Sequence, residues 1–173
     1  MVVGDRHLWK KLIMSQSDKI SGNQKRKIRS ATRLYIIQAL FQMEQLGQSV
    51  DQVTEEFIKH RFGANYDEGQ MSDGDESLFK SVLEAAVNYQ ASIDQLTDRA
   101  LVEKWPIARI DPTLRSLFRS AAAEIVQIKT PPKIVIAEYL ALAHAFFPDG
   151  KEPNFVNAVL DHMAKEACPS EFS

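Results

Sequence analysis

The sequence predicts an all-α protein of about seven helices in two small packed helical bundles. Three observations carry that expectation. Apolar residues recur in steps of three and four along most of the chain. The 173 residues hold only 7 Gly and 7 Pro, each below its usual share, which favours long uninterrupted elements. No alternating stretch of strand length stands out, apart from a short run at 133–136 that follows a proline-marked helix start.

The elements follow in order. Residues 1–23 read as a disordered leader, polar from Ser15 to Asn23. Within it, 1–13 fits an over-long start, an expression remnant or a functional arm. The first helix, 24–46, ends at Gly47, a good C-terminal stop. Its apolar positions include Ile28, Ala31, Leu34, Ile37, Leu40, Phe41 and Leu46. A shorter helix, 49–62, carries Val50, Val53, Phe57 and Ile58, and 63–74 reads as a polar, acidic loop. The third helix, 75–98, turns Phe79, Val82, Leu83, Ala86, Ile93 and Leu96 inward. Trp105-Pro106 breaks the pattern, because Pro fixes its own φ and biases the preceding residue away from helix. That break divides an N-terminal helical subdomain, 24–104, from a C-terminal one, 105–168. Asp111-Pro112 is an N-cap followed by Pro at the first helical position, opening a helix with Leu114, Leu117, Phe118, Ala121 and Ile125 inward. Thr130-Pro131-Pro132 stops it and starts the next, with Val135, Ile136, Leu140, Ala143 and Phe147 inward. The last helix, 153–167, uses Phe155, Val156, Val159, Leu160 and Met163.

Composition excludes several classes. At 45% hydrophobic and 25% charged residues the chain is neither wholly disordered nor fibrous. A single cysteine, Cys168, rules out an internal disulfide and a multi-thiolate metal cluster. No run approaches the roughly 18 apolar residues of a membrane span. Charges interrupt the apolar start, unlike a secretory signal, so a cytoplasmic protein is expected. Catalytic and metal constellations are missing from the pattern. The glycines are scattered, and His7, His60, His144 and His162 have no ligand-type spacing. The reading is therefore a non-enzyme that needs no cofactor.

Charge placement is more informative than the net −2. Residues 24–48 carry five cations (Lys25, Arg26, Lys27, Arg29 and Arg33) against Glu44 alone. Residues 49–77 carry eight carboxylates against Lys59 and Arg61. Arg26, Arg29 and Arg33 fall at i, i+3 and i+7 and share one helical face. That arrangement suits a phosphate backbone, or it is a solvated surface. The three side chains are expected off the apolar stripe, so that replacing Arg29 and Arg33 by Ala spares the fold.

Residues 25–167 resemble the NusB family of transcription antitermination factors. Three stretches carry the resemblance. One is Arg29-Ser30-Ala31-Thr32-Arg33 running into Gln38-Ala39-Leu40-Phe41. Another is Trp105-Pro106 through Asp111, then Leu117-Phe118-Arg119 with Glu124. The most specific runs from Pro131-Pro132-Lys133 to Ala137-Glu138, then through 143–146 to Phe155-Val156-Asn157-Ala158-Val159-Leu160-Asp161. The resemblance implies an all-helical fold of two subdomains and a binding role without catalysis. The implied ligand is boxA-type single-stranded RNA of nascent ribosomal RNA transcripts. Binding is together with ribosomal protein NusE, in assembly of an antitermination complex on RNA polymerase. By position, Arg29 and Arg33 would contact RNA, supported by Lys25, Arg26 and Lys27. Phe155 would offer a stacking ring or pack in the core. Phe41 and Glu138 match partner-facing positions, although Phe41 also lies on the apolar face of its helix. Arg119 and Glu124 fit structural or interface ion pairs. A membrane role is not implied, and a homodimer stays open. Ser30 and Ala31 stand where many relatives extend the Arg run, Ala137 replaces a common Asn, and Ala158 a common Gly. An adaptor helix protein, or the RNA-recognition module of a ribosomal RNA methyltransferase, are the competing readings.

Overall fold

The computed structural model describes residues 21–101 and 106–172. Seven α-helices build this part of the chain, so the all-α expectation holds. Helix α1 spans Gly22–Leu46; Ser21 caps it by accepting a hydrogen bond from the Gln24 amide. Ser21, Gly22 and Asn23 thus belong to the helix start and not to the expected leader; residues 1–20 lie outside the described residues. Gly47 ends α1 at φ 68°, a left-handed conformation that glycine adopts without a Cβ clash, and its amide reaches the Met43 carbonyl.

Helix α2, Val50–Glu56, opens on a reciprocal capping box between Ser49 and Gln52 and widens into a π-helical turn, Phe57–Arg61. The acidic loop holds a small antiparallel hairpin that the sequence pattern does not reveal. Strands β1 (Asn65–Tyr66) and β2 (Gly69–Gln70) pair across Asp67 and Glu68. Two residues per strand are too few for an alternation to register.

The predicted helix 75–98 is two. Helix α3, Glu76–Asn88, stops at Tyr89 (φ −113°, ψ 21°), and α4, Gln90–Ala100, starts in a new direction. Tertiary packing imposes the break: α3 lies on α1 and α5, whereas α4 lies on α5 and α7. No Gly or Pro marks it. Residues 102–105, which include the predicted boundary at Trp105, lie outside the described residues. On either side of them, the Asp98 carboxylate accepts the Ile107 amide at 2.7 Å. A 3-10 turn, Ile107–Arg109, leads to α5, Pro112–Ala123, with Asp111 capping Thr113 and Leu114. Helix α5 continues through a π-helical turn, Glu124–Ile128. Helices α6 (Pro132–Phe146) and α7 (Glu152–Ala167) follow, then a 3-10 turn, Pro169–Phe172.

Helix α5 is the hub. It packs on α1, α3, α4, α6 and α7. Its Leu117, Phe118, Ala121, Ala122 and Ala123 are fully buried, and the three alanines let neighbours approach closely. One contiguous apolar cluster runs from Tyr35 on α1 to Ala164 on α7 and includes side chains from both predicted halves.

The buried arc of α1 differs from the expected stripe. Thr32, Arg33, Tyr35, Ile36, Ile37, Ala39 and Leu40 are buried, while Phe41 and Leu46 are 38% and 67% exposed. Apolar residues wrap most of this helix, so spacing alone does not choose the face. On α6, Val135, Tyr139 and Ala143 are fully buried, while Leu140, and Phe147 just after the helix, are only half-buried. The α3 stripe is as expected, with Phe79, Val82 and Leu83 fully buried. Leu83→Ala is accordingly expected to lower stability by about 2–5 kcal/mol. Urea denaturation measures it, and a loss near zero would show that Leu83 does not pack.

Candidate nucleic-acid and partner interface

The first two turns of α1 stand clear of the core. Lys25, Arg26, Lys27 and Arg29 are exposed, and none has an ion-pair partner among the described residues. No carboxylate occupies the first turn. Cations here oppose the positive end of the helix dipole, a small penalty of about 0.3–1 kcal/mol each at low salt.

Arg26, Arg29 and Arg33 do share a face, and all three line one cleft of about 590 Å³ between α1 and the start of α6. Lys129, Ile134 and Glu138 line it from the other side. Lys129 is a cation that spacing arguments missed. It sits at φ 62° at the end of the π-helical turn, where its amide reaches the Glu124 carbonyl. A non-glycine residue in that region costs about 1–2 kcal/mol. The only sequence signal was the helix stop at Thr130-Pro131-Pro132.

Arg33 departs from expectation. Its residue is 5% exposed, so it does not lie off the apolar stripe. It forms a bidentate pair with Glu124, Nε to Oε2 at 2.8 Å and Nη2 to Oε1 at 3.0 Å. Glu124, fully buried, also accepts hydrogen bonds from Thr130 Oγ1 at 3.0 Å and Tyr139 OH at 2.7 Å. Ser120 Oγ lies 2.5 Å from that phenol and donates to it, since the phenol proton goes to Glu124. Burial by itself lowers the Arg33 pKa; the Glu124 hydrogen bonds and charge outweigh it, and the net shift is upward. Burial, with Glu124 beside it, raises the Tyr139 phenol well above its ordinary value. At neutral pH the centre therefore keeps an arginine cation and a neutral phenol. Its Nε and Nη2 are committed to Glu124 and its Nη1 lies 3.7 Å from Glu138, so Arg33 is a buried brace between α1, α5 and α6 and not a free phosphate ligand.

Glu138 sits at the α1–α6 seam with its side chain 28% exposed. Ser30 Oγ donates to its Oε2 at 2.7 Å. Phe41 and Leu46 open onto a second cleft, of about 480 Å³, with Phe146 and Arg61. Phe155 is half-buried and packs edge-on against Phe118, centroids 5.9 Å apart; it is not among the residues that line the Arg26–Arg29 cleft.

Arg119 and Glu124 do not meet. Arg119 grips Asp94 through two hydrogen bonds, at 3.0 and 2.9 Å, and reaches Glu44 at 3.1 Å. Arg115 also binds Glu44, and its Nη1 donates to the carbonyls of Ile107, Ala108 and Ile110. The Arg115 hydrogen bond holds the Glu44 carboxyl below its ordinary value. This second cluster ties α1, α4 and the turn before α5 together. Among the described residues no group of His, Cys, Asp or Glu is arranged to hold a metal ion, and no helix is long and apolar enough to cross a membrane.

The model of the NusB family matches residues 30–165, which include both ion-pair clusters; Arg26 and Arg29 of the α1–α6 cleft precede the matched span. The chain belongs to the NusB family. It is 40% identical over 157 residues to the transcription antitermination protein NusB of Granulibacter bethesdensis, covering 87% of this chain and 96% of that protein. The NusB of Maricaulis maris is 39% identical over 161 residues, covering 92% and 100%. These relatives are named as transcription antitermination proteins and not as enzymes. Among solved structures, T. maritima NusB superposes with a TM-score of 0.66 at 28% identity, covering 83% and 96%. A crystal structure of antitermination factors NusB and NusE in complex with dsRNA shares the fold, TM-score 0.66 at 20% identity, covering 84% and 99%.

Proposed function

We propose that this chain is an RNA-binding transcription antitermination factor. It binds boxA-type single-stranded RNA of nascent ribosomal RNA transcripts together with ribosomal protein NusE. The pair helps assemble the antitermination complex on RNA polymerase, in the cytoplasm. The observation that carries this reading is the set of four exposed cations at the start of α1, without an ion-pair partner among the described residues, two of which, Arg26 and Arg29, line the α1–α6 cleft, in a chain of the NusB family. Lys25, Arg26, Lys27 and Arg29 take phosphates, and Lys129 joins them from the opposite wall. Phe155 adds a ring only through its exposed part. Arg33 acts from beneath, through the shape of the seam. Phe41 and Glu138 face the protein partner; exposure of the Phe41 ring supports a contact role over plain core packing. The NusB–NusE complex with dsRNA on the same fold supports this choice of partners.

Titration of fluorescently labelled boxA-type RNA, with and without NusE, tests the proposal. Binding is expected to weaken steeply with salt, with log K falling by about 0.7 per phosphate contact per decade. NusE is expected to tighten it. Salt-insensitive or absent RNA binding in both titrations refutes the proposal and leaves a helical adaptor with a solvated basic face.

A further inference from the structure

Glu138 is half tied and half open. Its Oε2 accepts the Ser30 hydroxyl at 2.7 Å, and Arg33 Nη1 lies 3.7 Å from the same oxygen. Arg33 Nε and Nη2 are committed to Glu124, so Arg33 lends Glu138 charge without a competing short hydrogen bond. Glu138 Oε1 has no hydrogen-bond partner among the described residues, and the side chain keeps 28% of its surface. Ile134, Ala137 and Ala141 share its exposed face of α6 at helical spacing. A glutamate normally loses much rotamer freedom when it is captured by a partner. Here that freedom is already spent on α1, before any partner arrives, and a contact to the open oxygen is correspondingly stronger.

We propose that Ser30 is a positioning residue for partner binding: it fixes Glu138 so that Oε1 stands ready to accept an N–H or O–H donor of the protein partner. The inference rests on the assignment of Glu138 to the NusE-facing surface. Ser30 then serves the protein partner and not RNA, although it lies within the basic stretch of α1.

The test measures NusE binding to the full chain, as affinity and dissociation rate. Ser30→Ala is expected to weaken NusE about three- to tenfold, mainly through faster dissociation. Ser30→Thr, which keeps the hydroxyl, is expected to restore binding. In a Glu138→Ala background, Ser30→Ala is expected to add nothing further, because its effect runs through that carboxylate. An unchanged melting temperature for Ser30→Ala separates positioning from loss of fold. Wild-type affinity of Ser30→Ala beside a weakened Glu138→Ala overturns the proposal and leaves the partner surface standing. A Ser30→Ala penalty that persists in the Glu138→Ala background, or that appears with RNA alone, also overturns it. Wild-type NusE binding by Glu138→Ala defeats the partner assignment itself, and this inference with it.

Discussion

Arg33→Ala is expected to destabilise the fold by about 3–5 kcal/mol, the range for removing one partner of a buried ion pair. The substitution leaves the Glu124 carboxylate fully buried with no cation. Thr130 and Tyr139 still donate to it, so its lone pairs are partly satisfied, but its charge is not compensated. That loss is a large fraction of the ordinary stability of a domain, about 5–15 kcal/mol. Urea denaturation followed by circular dichroism measures it, with the slope checked so that a change in midpoint reports stability alone.

The double variant Arg33→Met with Glu124→Gln separates charge from packing. The amide oxygen that replaces the carboxylate still accepts from the Tyr139 phenol or the Thr130 hydroxyl, and the methionine side chain fills most of the arginine volume. Most of the single-variant loss is expected to return, because replacing a buried ion pair as a whole is far milder than breaking it. A double variant as unstable as Arg33→Ala would show that the planar arginine fork, and not charge balance, holds the seam. A single-variant loss below about 1 kcal/mol would mean that water reaches Glu124, contrary to its burial. Since the brace also shapes the seam between α1 and α6, RNA binding by Arg33→Ala is expected to weaken per folded molecule, while the salt slope, set by the exposed cations, stays unchanged.

Arg33 marks where reading the sequence stops. Helical spacing correctly puts Arg26, Arg29 and Arg33 on one face, since all three line one cleft. Spacing does not say how deep each lies along that face. Depth is set by α5 and α6 crossing α1 at residue 33, and Glu124 lies 91 positions away. Local rules captured the caps well: Asp111 before Pro112, and Gly47 at φ 68°, both use short-range chemistry. They failed at Tyr89, where α4 turns to meet α7 with no breaker residue to announce it. They also missed Tyr139. An aromatic flanked by Glu138 and Leu140 gives no sign that its hydroxyl ends in a buried network with Glu124 and Ser120. The site's exposed cations were legible because exposure and charge are local properties. Its braces and tethers were not: an ion-pair role for Glu124 is expected, but its pairing with Arg33, its bond from Tyr139 and the Ser30–Glu138 contact each join distant segments.

Simultaneous replacement of Lys25, Arg26, Lys27 and Arg29 by Ala is expected to move RNA binding and stability in opposite directions. Each cation is exposed and without an ion-pair partner among the described residues, so no buried interaction is lost with it. All four stand in the first two turns of α1, where no carboxylate balances them and the helix dipole disfavours them. Alanine is also the best helix former. Stability is therefore expected to hold or rise by a few tenths of a kcal/mol to about 1 kcal/mol. RNA affinity is expected to fall on the order of 100-fold at about 0.1 M salt, and the salt slope to fall by about 0.7 for every phosphate contact removed. A basic patch that serves only solubility gives neither change in binding. The near-neutral sum of the chain, −2, does not soften this expectation, because eight carboxylates lie in residues 49–77 and none lies in the first turn of α1. Fluorescence anisotropy across a salt series, beside urea denaturation of the same variant, reads both quantities. Unchanged affinity and slope would move the RNA site away from α1. A fall in affinity with an unchanged slope would trace the loss to something other than phosphate contacts.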